Sequence, residues 1–144
     1  MFPGGCLGSA LEAIAESLAN KDNVKAVAYA SHYLVDLCNP FHTSVYSLVQ
    51  TGPHVDTELR INQMLDKWVS EYKPNPPLVD DVGLAAVDII TTSSAMAREL
   101  MNKFIKHDFK GEPYPDDIFK KILFNAVDYQ IGFLDYARQV VLLG

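Results

Sequence analysis

The stretch Ala30-Ser-His-Tyr-Leu-Val-Asp-Leu-Cys-Asn-Pro-Phe-His-Thr43 carries both the architecture and the chemistry of this chain. It continues a helical pattern with Asp22 as the expected N-cap, in which Val24, Val27, Ala28, Leu34 and Val35 recur at helical spacing. His32 and Asp36 are one turn apart, so both side chains leave the same face. Asn39-Pro40 ends the helix, because a residue before proline is pushed out of the α region. His42 follows on backbone that the proline ring has already stiffened. Twelve residues further on, His54 and Glu58 repeat the one-turn spacing. Three of the four histidines therefore fall between positions 32 and 54.

Outward from this stretch, every pattern is helical. Ser9-Ala-Leu-Glu12 has capping-box form, and Leu11, Ile14 and Leu18 extend a helix to about Asn20. Residues 43 to 50 read as a short helical turn started by Thr43. Gly52-Pro53 breaks the chain and presents His54 at the start of the next helix, which runs through Leu59, Ile61, Met64, Leu65, Trp68 and Val69 to about Tyr72. Trp68 fits the core better than a ligand-stacking role. After the proline-rich loop Lys73–Pro77, Asp80 or Asp81 caps a helix carrying Ala85, Ala86, Ile89, Ile90, Met96, Leu100, Phe104 and Ile105. Its Thr91-Thr-Ser-Ser94 segment has poor helix propensity and invites a bend. Asp116 is the expected cap of the last helix, with Ile118, Ile122, Leu123, Val127, Ile131 and Leu134 facing inward and an apolar tail from Val140 to Leu143. No segment has the alternating, β-branched character of a strand. The expectation is a single all-α domain spanning 1–144, a compact bundle of about five helices.

The totals set bounds on function. A chain of 144 residues buries one good core. No apolar run reaches the roughly 20 residues that span a bilayer. The start of the chain lacks the basic-then-apolar order of a signal peptide, which reads as cytoplasmic for the chain as it stands. A net charge of −6 argues against a non-specific grip on nucleic acid, although bound divalent cations would change the local balance and admit a small phosphorylated substrate. Homo-oligomerisation is left open by the composition. Cys6 and Cys38 make no disulfide framework. Cys38 reads either as a small buried hydrophobe or as a soft ligand. Glu12 and Glu16 read as a solvated face before they read as ligands.

Zinc accepts imidazole nitrogen and carboxylate oxygen, and a hydrolytic site commonly holds it with three protein ligands and leaves a fourth position for water. His42, His54 and Glu58 make such a set, and His32 with Asp36 is half of a second. Ions clustered there would clamp a phosphate and activate water, which is the chemistry of phosphoester hydrolysis.

These residues resemble a known family. His32-Tyr-Leu-Val-Asp36-Leu-Cys-Asn-Pro40-Phe-His42 is similar to the central motif of the zinc-dependent phospholipases C and related single-strand nucleases, a His-x-x-x-Asp helix followed by a Pro-containing turn and a second His. His54-Val-Asp-Thr-Glu58 is similar to the family's next element in its phospholipase form. The resemblance implies an all-α fold and a zinc-dependent phosphodiester hydrolase acting on phospholipid headgroups or similar phosphoesters. It also implies that His42, His54 and Glu58 complete one metal site, while His32 and Asp36 belong to another in which Asp36 bridges to a third ion. It covers roughly the C-terminal two-thirds of a family member. The family's amino-terminal Trp ligand and its earlier His and Asp have no counterpart in the 31 residues before His32, none of which is His or Trp. The chain thus reads as a fragment or a shortened relative, and the alternative is a catalytically impaired helical protein whose role is metal binding or interaction. A weaker pattern, His107-Asp108, is the dipeptide of HD-type phosphohydrolases, but a solvated helix C-terminus explains His107 better, through the helix dipole.

Overall fold

A computed structural model describes residues 24–43, 51–104 and 113–139. Among the described residues the chain is all-helical: α1 (Val24–Cys38), α2 (Pro40–Thr43), α3 (Thr51–Glu71), α4 (Val82–Phe104) and α5 (Asp116–Ala137). The expected helix over 9–20, the Asp22 cap, residues 44–50 of the turn expected over 43–50, the His107-Asp108 pair and the tail from 140 lie outside the described residues, while Thr43, the expected start of that turn, is the last residue of α2. No described helix is long and apolar enough to cross a membrane.

Two hydrophobic clusters organise the bundle. On α1 the buried positions Val27, Ala30, Leu34, Leu37 and Cys38 recur at three- and four-residue spacing, the stripe an α-helix turns to one side. They pack on Val79 from the loop before α4, on Val82, Ala86 and Ile89 from the start of α4 and on Phe133 and Ala137 from the end of α5. The second cluster joins Phe41 of α2 with Trp68 of α3, Met96 and Leu100 of α4, and Ile118, Phe119 and Ile122 of α5. The lone tryptophan is thus a core residue. Fully burying a side chain such as Phe119 contributes about 1.5–3 kcal/mol. This cluster is the floor on which α2 and α3 rest, so it sets where His42 and His54 can stand.

Polar ties fix α3 against α5. Arg60 donates through Nε and Nη2 to the two carboxylate oxygens of Asp116, at 2.9 and 2.6 Å, and its guanidinium lies over the Tyr114 ring. The Tyr72 hydroxyl donates to Asp128 Oδ1 at 2.5 Å, and the same oxygen accepts from the Asn75 N–H at 2.9 Å. Lys120 pairs with Glu71. Gly132 permits a close approach: a Cβ there would lie 2.6 Å from the Pro77 carbonyl oxygen, so the loop before α4 rests on bare helix backbone.

Several local expectations change. Gly52-Pro53 lies inside the first turn of α3 instead of before it, since the first amides of a helix need no intrahelical partner and proline costs nothing there. Asp116 does not cap α5. Pro115 holds the N-cap position with no side-chain cap bond, and Asp116 is committed to Arg60. Asp81 does cap α4, its Oδ1 accepting from Leu84 N–H at 2.9 Å. The Thr91–Ser94 segment does not interrupt α4, and Thr91 Oγ1 donates back to the Val87 carbonyl. Ile131 and Leu134 are exposed, whereas Phe119, Phe133 and Ala137 are buried. Leu59, Leu65 and Val69 are likewise exposed, because the inward face of α3 runs through Thr57, Ile61, Met64 and Trp68.

Candidate metal centre

The sequence around α2 builds the first half of the site. α1 ends at Cys38, and Asn39 turns the chain, its N–H bonded to the Asp36 carbonyl at 3.0 Å. Pro40 then occupies the first position of a new helical turn, where its fixed φ is an advantage. His42 therefore sits on a short helix and not on the loop the sequence suggests. Phe41, two residues after the turn, is buried in the second cluster and anchors that helix. The other half comes from the first turns of α3, where His54 and Glu58 are successive residues of one face.

The two halves meet. One ligand atom from each of His42, His54 and Glu58 lies within 4.8 Å of the others, and this is the cluster of three potential ligands found among the described residues. The rings of His42 and His54 are nearly perpendicular, at 86°, with centroids 4.8 Å apart. His54 Nε2 donates to Glu58 Oε1 at 2.8 Å, and the flat face of His54 stacks on Phe41 at 5.6 Å. Zinc–ligand bonds near 2.0–2.1 Å in a tetrahedron place neighbouring donor atoms about 3.3 Å apart. The His54–Glu58 pair at 2.8 Å is closer than that, and no pair exceeds 4.8 Å, so the group could hold a metal ion. Glu58 is mostly exposed, and its Oε1 is held by His54.

Electrostatics favour the ligand form of His42. Burial pushes its imidazole below the ordinary histidine value, and the neighbouring His54 and His32 act in the same direction. The Asp36 and Glu58 carboxylates oppose them. A neutral imidazole is what a cation requires.

His32 and Asp36 do meet, His32 Nε2 standing 3.4 Å from Asp36 Oδ2 on the outer side of α1. Their charges reach His42, but no third described ligand closes on them. His32 also lines a groove of about 370 Å³ between α1 and α5, with Val35, Gln130 and Leu134 among its walls. Cys38 does not join either group. It is buried, its Sγ faces the Leu34 carbonyl oxygen at 3.6 Å, and burial pushes the thiol up to about 12, which suppresses the thiolate a metal would need.

Asn39 was not legible as part of the site. Its place before Pro40 explains the helix stop, and that reading is sufficient without a second role. The structure shows the side chain bonded to Glu58 as well as to the backbone of α2. The signal available in the sequence was only that asparagine is a preferred N-cap. No family model, curated protein or solved structure matches the chain.

Proposed function

We propose that His42, His54 and Glu58 hold a divalent cation, zinc in the first instance, and that the chain is a phosphoesterase-like protein acting on phosphodiester bonds. The supporting observation is the convergence of three ligand atoms within 4.8 Å from two elements separated in sequence. Two imidazoles and one carboxylate leave an open position, which is the donor set of hydrolytic rather than structural zinc sites. Zinc bound there supplies Lewis-acid polarisation of a phosphoryl oxygen and lowers the pKa of a water at its free position. Burial shifts His42 toward the neutral form that ligates, Phe41 stacks on the His54 ring, and Glu58 would bring the negative charge that offsets the cation. His32 and Asp36 are the proposed contributors to a second ion beside the first.

A second reading is a helical metal-binding or interaction protein that does not hydrolyse its ligand. The observation favouring it is that no third described ligand closes on the His32–Asp36 pair. Elemental analysis of protein never exposed to chelator tests the common premise: about one zinc per chain is expected, and metal-free protein that takes up none sinks both the hydrolase and the metal-binding form of the alternative. Chelator-sensitive hydrolysis of a chromogenic phosphate diester then separates the two. Its absence from zinc-loaded protein favours the second.

A further inference from the structure

Asn39 joins the two elements that supply the proposed ligands. Its Oδ1 accepts from the Phe41 N–H at 3.1 Å, which is the N-cap bond of α2, with Pro40 at the first helical position and Phe41 at the second. Its Nδ2 donates to Glu58 Oε1 at 3.2 Å, across 19 residues of chain. The orientation of the amide follows from its partners: a backbone N–H can only be met by the oxygen, and a carboxylate only by the nitrogen.

We propose that Asn39 is a positioning residue for the metal centre, using the two ends of one planar amide to lock the Glu58 carboxylate to the turn that carries His42. This rests on the metal-binding reading above. Glu58 is an exposed glutamate with several rotamers open to it, and a carboxylate that swings freely loses that freedom when it ligates. A donor on Oε1, added to the one from His54, holds the carboxylate beside both histidines before any cation arrives. The residue type matters. Serine or aspartate would satisfy the N-cap equally well, but ionised aspartate has no donor, and serine carries donor and acceptor on one atom closer to the backbone, short of where Nδ2 stands. Aspartate would set a second negative charge against Glu58. Outer-sphere partners of this kind are worth roughly 10–100-fold in metal affinity.

The test uses the full chain and zinc alone, with affinity read by competition against a chromophoric chelator. Asn39→Ser keeps the cap acceptor and withdraws the Nδ2 donor that reaches Glu58. The expected result is a melting temperature of the metal-free protein close to that of the parent, with zinc affinity about 10–100-fold weaker. The same substitution in a Glu58→Ala background is expected to change zinc affinity little, because its effect passes through Glu58. Parent-like affinity in Asn39→Ser overturns the positioning role while leaving the three-ligand site intact. Equal losses in both backgrounds overturn it too, since they would mark a general disturbance of α2. A parent protein that takes up no zinc removes this inference together with the metal site itself.

Discussion

The His42 and His54 rings meet edge to face, 86° apart with centroids separated by 4.8 Å, although one rides on a four-residue helix and the other on the first turn of α3. With the Glu58 carboxylate 2.8 Å from His54, the two imidazoles form a group of three that could hold a cation.

The first expectation concerns metal uptake. His42→Ala or His54→Ala should reduce bound zinc from about one per chain to a small residue, while His32→Ala retains the first equivalent. Zinc at 100 times its dissociation constant should stabilise the parent by about 2.7 kcal/mol, and an excess of EDTA should abolish that gain. A thermal melt with and without zinc, run beside elemental analysis, measures both. Equal zinc content in His42→Ala and parent would remove His42 from the ligand set.

Cys38 separates from the metal chemistry by its burial. In a Cys6→Ser background, the remaining thiol should react with a disulfide reagent only as fast as the protein opens, and fully in denaturant. Zinc protection of Cys38 beyond that expected from added stability, or loss of zinc in Cys38→Ser, would restore it as a ligand.

Gly132 gives a prediction whose sign depends on tertiary contact. On an isolated helix Gly132→Ala would gain about 1 kcal/mol. Here the new methyl would meet the Pro77 carbonyl oxygen at 2.6 Å and Val79 Cγ2 at 3.2 Å. Backbone cannot rotate aside, so a net destabilisation of about 1–3 kcal/mol is expected from urea unfolding. A more stable variant would show that the loop at Pro77 does not rest on α5.

Alkaline pH should loosen the tie between α3 and α5. Burial, with the hydrogen bond to Asp128 and its charge, pushes the Tyr72 phenol up to about 12 from its ordinary 10.0. The folded state therefore keeps a proton that the unfolded chain releases. That contribution is complete below about pH 10 and declines as pH rises toward 12. Tyr129, raised by burial and by Asp88, adds to the same trend. Urea midpoints between pH 9 and 11 should fall less steeply for Tyr72→Phe than for the parent. Parallel pH profiles would contradict the assignment.

Much of this protein is written locally. The period of apolar residues on α1, the stop at Asn39-Pro40 and the Asp81 cap are short-range effects of backbone sterics and helix periodicity, and they are legible residue by residue. The one-turn pairs His32–Asp36 and His54–Glu58 belong to the same class, because spacing on a single helix dictates their contact. What no local pattern contains is the choice among faces. Ile131 and Leu134 fit the helical period as well as Phe133 and Ala137 do, yet only the latter pair is buried in the cluster with α1 and α4. Asp116 is as good a cap as Asp81 by residue type, but Arg60, 56 residues earlier in the chain, takes its carboxylate instead. Likewise the sequence determines that His42 and the His54–Glu58 pair are available as ligands. Their convergence, and the Asn39 amide that spans them, arises because Phe41 and Trp68 bury into one cluster and draw α2 and α3 together. Burial of apolar surface is non-directional and acts across the whole chain, so it is the packing of distant residues that selects one arrangement from several locally equivalent ones.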